Sequence, residues 1–208
     1  MDDGVVIALF RHGLTEANIR KEYLGWSESQ LTGEGVQQII KLKNRIGKYE
    51  WIVSSDLGRC TETANILFPG QPIQKRSGFR EMNFGSWENL THQDLEEDPE
   101  YKQWLLNPFT EKIPQGEFFP EFEKRILQEW SWLAETGITG NVSRAAVVTH
   151  GGVIRTLLTK LAPEQRDFWD WNIGHGKGFE LVWTKEAFRR GSRCISLREV
   201  PLTANLNG

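Results

Sequence analysis

Val5-Val6-Ile7-Ala8-Leu9-Phe10 is an unbroken apolar run of strand length that ends directly in Arg11-His12-Gly13. Such a run is what a strand covered on both faces looks like, and it points to a sheet sandwiched between helices. Ala145-Ala146-Val147-Val148-Thr149 repeats the pattern near the other end of the chain and stops in His150-Gly151-Gly152. In an open α/β sheet, ligands bind beyond the carboxyl ends of the strands, so two histidines far apart in sequence could face one crevice.

The segments between them alternate as such a fold requires. Residues 14–29 read as a loop, and Thr32 caps a predicted helix running to about Gly47, with Val36, Ile39, Ile40 and Ile46 on one face. Trp51-Ile52-Val53 reads as a short buried strand, residues 58–67 as the helix after it, and 72–75 as a third strand. From about Glu88 to Gly140 the strand signals vanish. Residues 91–98 and 100–106 read as short helices, and Phe119, Phe122, Ile126, Trp130 and Leu133 trace a stripe of threes and fours, so this stretch reads as a helical cap. Residues 153–161 continue as a helix, 179–183 and 194–200 as closing strands, and 203–208 as a frayed end. The expected fold is a single α/β domain over residues 1–208, with a mostly parallel central sheet, helices on both faces and a cap insertion at about 88–140.

The 25 basic and 28 acidic residues leave a net charge of −3, which offers no general attraction for nucleic acid or an anionic membrane. Any basic site must be local. No apolar run approaches the ~20 residues of a membrane span. Cys60 and Cys194 lie far apart without metal-type spacing, and the start Met1-Asp2-Asp3 lacks a secretory layout. The expected setting is the cytoplasm, with both thiols reduced.

Arg11 and Arg59, at least one imidazole and a helix amino terminus near Gly152 describe a site for a compact dianion. A transferring phosphoryl group spreads its charge over three oxygens, so these groups can stabilise it, and a neutral imidazole can attack it. That attack needs the second ring nitrogen fixed by a backbone carbonyl. Glu81 is the best placed carboxylic acid to protonate the departing oxygen and later deprotonate water. Taken singly, Arg59 reads as a solvated helix-start charge and Glu81 as a surface carboxylate; only the constellation carries the chemistry. His92 reads as a surface residue, and His175, within Gly174-His175-Gly176-Lys177-Gly178, as a glycine-loop residue that could border the site. Both stay outside the catalytic set.

With these residues assembled, the sequence resembles the histidine phosphatase superfamily, whose fold is also called phosphoglycerate-mutase-like. The motifs are Arg11-His12-Gly13-Leu14-Thr15 with Asn18, Leu31-Thr32-Gly33-Glu34-Gly35, Ser54-Ser55-Asp56-Leu57-Gly58-Arg59 with Thr63-Ala64, Glu81 with Phe84-Gly85-Ser86-Trp87-Glu88, Pro114-Gln115-Gly116-Glu117, and Val148-Thr149-His150-Gly151-Gly152. The resemblance implies that His12 becomes phosphohistidine, that Arg11, Arg59 and His150 hold the phosphoryl oxygens, and that Glu81 donates the proton. It makes Asn18 a further phosphate contact and Thr15 a support for the loop, with Gly151 among the substrate-binding positions. It implies no metal or organic cofactor and a small phosphomonoester as the substrate.

Three positions depart from the pattern: Glu28 and Gln30 stand where aspartate and proline are frequent, and Phe118 where serine is frequent. Within the superfamily the main division is between hydrolases and mutases. Glu88, Asp94, Glu96, Glu97, Asp98, Glu100 and Glu111 outnumber Lys102 and Lys112 at the expected cap entrance, which argues against a bisphosphorylated substrate and for hydrolysis over mutase-type phosphoryl transfer. A non-catalytic phosphate-binding module is disfavoured because His12, Arg11, Arg59, Glu81 and His150 are all retained. Tyr23, Trp26, Phe84, Trp87, Phe118 and Phe119 either pack the cap or line a pocket for an apolar or planar leaving group, such as a nucleoside or aryl alcohol.

Overall fold

The computed structural model describes residues 4–200, so the expected frayed end at 203–208 lies outside the described residues. Strands β1 (Gly4–Arg11), β2 (Trp51–Ser54), β3 (Ile73–Lys75), β4 (Arg144–Thr149), β5 (Gly178–Thr184) and β6 (Ser196–Val200) form one sheet in the order β3-β2-β4-β1-β5-β6. The neighbours from β3 to β1 are parallel, β5 runs antiparallel to β1, and β6 antiparallel to β5.

The unbroken apolar runs follow from burial on both faces. Along β1, Val5, Ile7 and Leu9 point into one core while Ala8 and Phe10 point into the other; in β4, Ala145 and Val147 alternate with Ala146 and Val148 in the same way. Helices α2 (Gly33–Lys43) and α3 (Gly58–Leu67) cover the second face through Ile39, Leu42, Cys60, Ala64 and Leu67. The first face is covered by α6 (Phe119–Thr139), α7 (Gly151–Leu161) and α8 (Lys185–Arg189), which bury Ile126, Leu133, Ile154, Leu158 and Phe188. The remaining helices, α1 (Glu16–Ile19), α4 (His92–Leu95) and α5 (Pro99–Leu106), lie in the connections.

Several boundaries differ from expectation. Helix α2 ends at Lys43 rather than near Gly47, because the chain turns at Asn44 and Ile46 falls outside it. The loop at 14–29 contains α1, whose amino-terminal end is closed by a capping box between Thr15 and Asn18. The predicted stripe of α6 faces mostly the sheet: Ile126 and Leu133 are fully buried, and Trp130 packs on Trp183 and Phe188.

Candidate active site

The strand register brings the two histidines together. Arg11 pairs with Thr149 across β1 and β4, and the His12 amide donates to the Thr149 carbonyl at 3.0 Å. The next residues are therefore neighbours, and the His12 and His150 ring centroids lie 5.2 Å apart. His12 Nδ1 lies 2.8 Å from the Gly13 carbonyl. A carbonyl can only accept, so Nδ1 carries the proton and the lone pair is left on Nε2. Burial, then the charges of Arg59 and Arg11, hold the His12 pKa well below the ordinary imidazole value and keep the ring neutral. His150 is fully buried and shifted the same way for the same leading reasons. Its Nε2 lies 3.0 Å from Ser55 Oγ and 3.4 Å from the Cys60 thiol, whose pKa burial pushes up to about 12.

Arg59 is 1% exposed, so it is not the solvated helix-start charge that its position alone suggests. It stands in the first turn of α3 and donates to the carbonyls of Ser27 and Gly25 at 2.9 and 2.5 Å. Glu28, at a position where aspartate was expected, accepts from the Gly58 amide with both oxygens at 3.0 Å. It thereby closes the amino terminus of the helix that carries Arg59. Arg11 donates to the Ile173 carbonyl at 2.5 Å. Burial lowers its pKa to about 10, which still leaves it charged at neutral pH. The Nε atoms of Arg11 and Arg59 are buried with no partner among the described residues.

Glu81 is half-buried rather than a free surface carboxylate. Its oxygens accept from the amides of Met82 and Gly152, both at 2.9 Å, the latter in the first turn of α7. The backbone leading to it is fixed by Arg125, which donates to the carbonyls of Gly78, Arg80 and Glu81 and pairs with Glu117. That pairing gives the Gly116-Glu117 motif a structural task. Of the two glycines after His150, Gly152 makes room for Glu81, since a Cβ there would lie 2.3 Å from Glu81 Oε1, whereas one on Gly151 would lie in ordinary contact, 3.4 Å from Arg11 Cζ.

The other predicted positions are placed as follows. Asn18 accepts at its side-chain oxygen from the Thr15 amide and hydroxyl, at 3.3 and 2.9 Å, which ties both residues into the turn after Gly13. His92 is exposed, although its Nδ1 lies 2.8 Å from the Tyr101 hydroxyl. His175 borders the site: its ring centroid is 5.4 Å from that of His12, and burial lowers its pKa to about 4. The carbonyl of Lys177 from the same loop accepts from the Arg11 amide at 3.0 Å.

Next to Glu81 and Gly152 opens a cavity of about 440 Å³ with an aromatic wall. Of the aromatics singled out in the sequence, Tyr23, Phe84 and Phe119 line it; Trp87 is core, Trp26 sits over Arg80, and Phe118 is not in the wall. Trp104 and Phe122 add to the wall, Phe109, Phe168 and Trp169 complete it from segments whose proximity nothing in the sequence signalled, and Arg155 is the cation in its lining. The acids expected at the entrance do not line it. Glu88 is turned inward to accept from the amides of Gly25, Trp26, Ser27 and Phe84, while Asp94 and Asp98 cap α4 and α5. These acids therefore put no charge against a second phosphate in the cavity, whose wall is instead mostly apolar.

The sequence signature of the histidine phosphatase superfamily (branch 1) matches residues 7–191. The chain belongs to that superfamily and is a phosphatase-type enzyme. It is 32% identical over 176 residues to the adenosylcobalamin/alpha-ribazole phosphatase of Escherichia coli K12, covering 81% of this chain and 85% of that one. It is 33% identical over 161 residues to a protein of Escherichia fergusonii named as a probable phosphoglycerate mutase, GpmB, with 74% of each chain covered. The crystal structure of the alpha-ribazole phosphatase from Shigella flexneri superposes with a TM-score of 0.77 at 27% identity, over 85% of this chain and 90% of that one.

Proposed function

We propose that the protein hydrolyses small phosphomonoesters through a phosphohistidine on His12, and that the ester's alcohol half is apolar or planar. The observation that carries this reading is the state of His12: a neutral ring, with Nδ1 held by the Gly13 carbonyl and the Nε2 lone pair directed away from it, beside two buried guanidiniums with unpartnered Nε atoms.

The phosphate dianion is held by Arg11, Arg59 and His150, with the Asn18 amide nitrogen as a further donor and Thr15 and Gly151 keeping the loop and the Arg11 side chain in place. His12 Nε2 attacks phosphorus as the bond to the ester oxygen breaks. The Glu81 carboxyl transfers its proton to that oxygen, and the alcohol leaves toward the aromatic cavity. Glu81, now ionised, takes a proton from water as that water attacks the phosphohistidine; phosphate departs and His12 is restored. The aromatic wall with one cation supports hydrolysis of a ring-bearing ester over mutase chemistry, which requires several cations for a carboxylate and a second phosphate. The named phosphatase relatives support the same choice.

The test is a phosphomonoester panel in the presence of a chelator, with phosphate release measured beside isomerisation of 3-phosphoglycerate with and without 2,3-bisphosphoglycerate. Aryl phosphates and nucleotides should outperform sugar phosphates. Isomerisation faster than phosphate release would overturn the hydrolase reading.

A further inference from the structure

Arg155 follows Gly152 by three residues on α7, so its side chain rises from the helix face whose first-turn amide holds Glu81. Its Nε donates to the Trp171 carbonyl at 3.1 Å. The guanidinium carbon lies 5.9 and 5.6 Å from the ring centroids of Phe168 and Trp169. One end of the fork is thus anchored and its plane is braced by aromatics. Among the described residues neither Nη atom has a hydrogen-bond partner, and the group lines the cavity beside Glu81. Burial lowers its pKa and the Glu81 charge works against that, so it is a partly desolvated cation in the lining of a space where a ligand would sit.

The order of groups outward from His12 is then informative. Arg11 touches the Gly151 position and Glu81 the Gly152 position, and Arg155, one turn further along α7, lines the cavity between Gly152 and the Phe168 and Trp169 rings. A ligand whose phosphate lies on His12 and whose apolar end rests on Phe168 and Trp169 brings its middle portion within reach of Arg155. We infer that Arg155 is a specificity-determining residue whose Nη groups donate to oxygens on that middle portion. The favoured substrates are therefore phosphomonoesters of a hydroxylated alcohol that carries a planar ring, of the sugar-linked aromatic type, over bare aryl phosphates. This rests on the phosphatase reading given above and adds the part of the substrate that lies between phosphate and ring.

The experiment compares wild type with R155M, which keeps an apolar stem, and R155K, which keeps the charge but loses the fork. The probes are adenosine 5′-monophosphate, phenyl phosphate and 3-phosphoglycerate. In R155M the ratio of kcat/KM for the nucleotide to that for phenyl phosphate should fall roughly tenfold or more, chiefly through KM, as loss of charge-assisted hydrogen bonds implies. R155K should recover part of that ratio. An unchanged ratio, or an equal fall in kcat on both esters, overturns the inference and makes Arg155 a structural brace. A larger loss on 3-phosphoglycerate than on the nucleotide overturns it in favour of carboxylate recognition. Failure of the phosphatase reading is separate: wild type would then release phosphate from none of the three.

Discussion

Gly152→Ala isolates the proposed proton donor, Glu81, without removing it. The new Cβ would stand 2.3 Å from Glu81 Oε1, far inside contact distance, so the carboxylate must swing away and lose the 2.9 Å bond from the residue-152 amide. A hydrogen bond to a charged group contributes about 1.5–3 kcal/mol, which converts to roughly a 10- to 150-fold loss where the proton is needed. The assay is kcat for an alkyl phosphate, whose alkoxide must be protonated as it leaves, against p-nitrophenyl phosphate, whose phenolate leaves unaided. The alkyl ester should suffer the full loss and the nitrophenyl ester much less. Gly151→Ala is the control: its Cβ would meet Arg11 Cζ at 3.4 Å, an ordinary contact, and it should cost under about threefold. Equal losses on both esters, or equal losses in the two variants, would refute the assignment of Glu81 as acid.

Two further predictions concern stability. His12, His150 and His175 are all kept neutral by burial, in His175 down to about pH 4. In the unfolded chain they protonate near ~6.5. Below that value the unfolded state holds more protons, so stability falls as pH falls, by up to about 1.4 kcal/mol per pH unit for each histidine until its folded pKa is reached. Urea midpoints should drop between pH 7 and 5, less steeply in His175→Asn, and a flat profile would count against buried neutral histidines. Glu88→Ala strips four backbone amides of their acceptor at 2.8–3.1 Å and should cost about 2–4 kcal/mol, read as a melting temperature roughly 5–15 °C lower. It should also raise KM, because Gly25 and Ser27 supply the carbonyls that hold Arg59; an unshifted melting curve contradicts that role.

The sheet and the candidate site were legible in the sequence because both are written in local patterns. An apolar run ending in a polar strand terminus fixed where His12 and His150 stand, and parallel neighbours made their rings adjacent. The requirement that a carbonyl orient His12 was legible too, since chemistry demands it and the next peptide supplies it. What escaped depends on tertiary convergence. Arg59 taken singly read as a solvated charge, and Glu88 as an acid at the cap entrance, because the backbone groups that receive them come from loops distant in sequence. Asp94 and Asp98 are spent on helix caps, Glu97 pairs with Lys102, and none of these acids lines the cavity, a distinction that counting charge cannot make. Phe168, Trp169 and Arg155 escaped because each reads locally as an ordinary surface or helix residue; only the fold sets them opposite Phe109 and Phe119.

The central claim is that His12 carries the phosphoryl group. The direct measurement is rapid acid-free quenching of the enzyme during turnover of a ³²P-labelled phosphomonoester, followed by peptide mapping. The account predicts acid-labile, base-stable label on the peptide containing His12, formed and lost at rates compatible with turnover, and absent from His12→Ala, which should be inactive. Label on another residue, turnover without labelled protein, or undiminished activity in His12→Ala would contradict it.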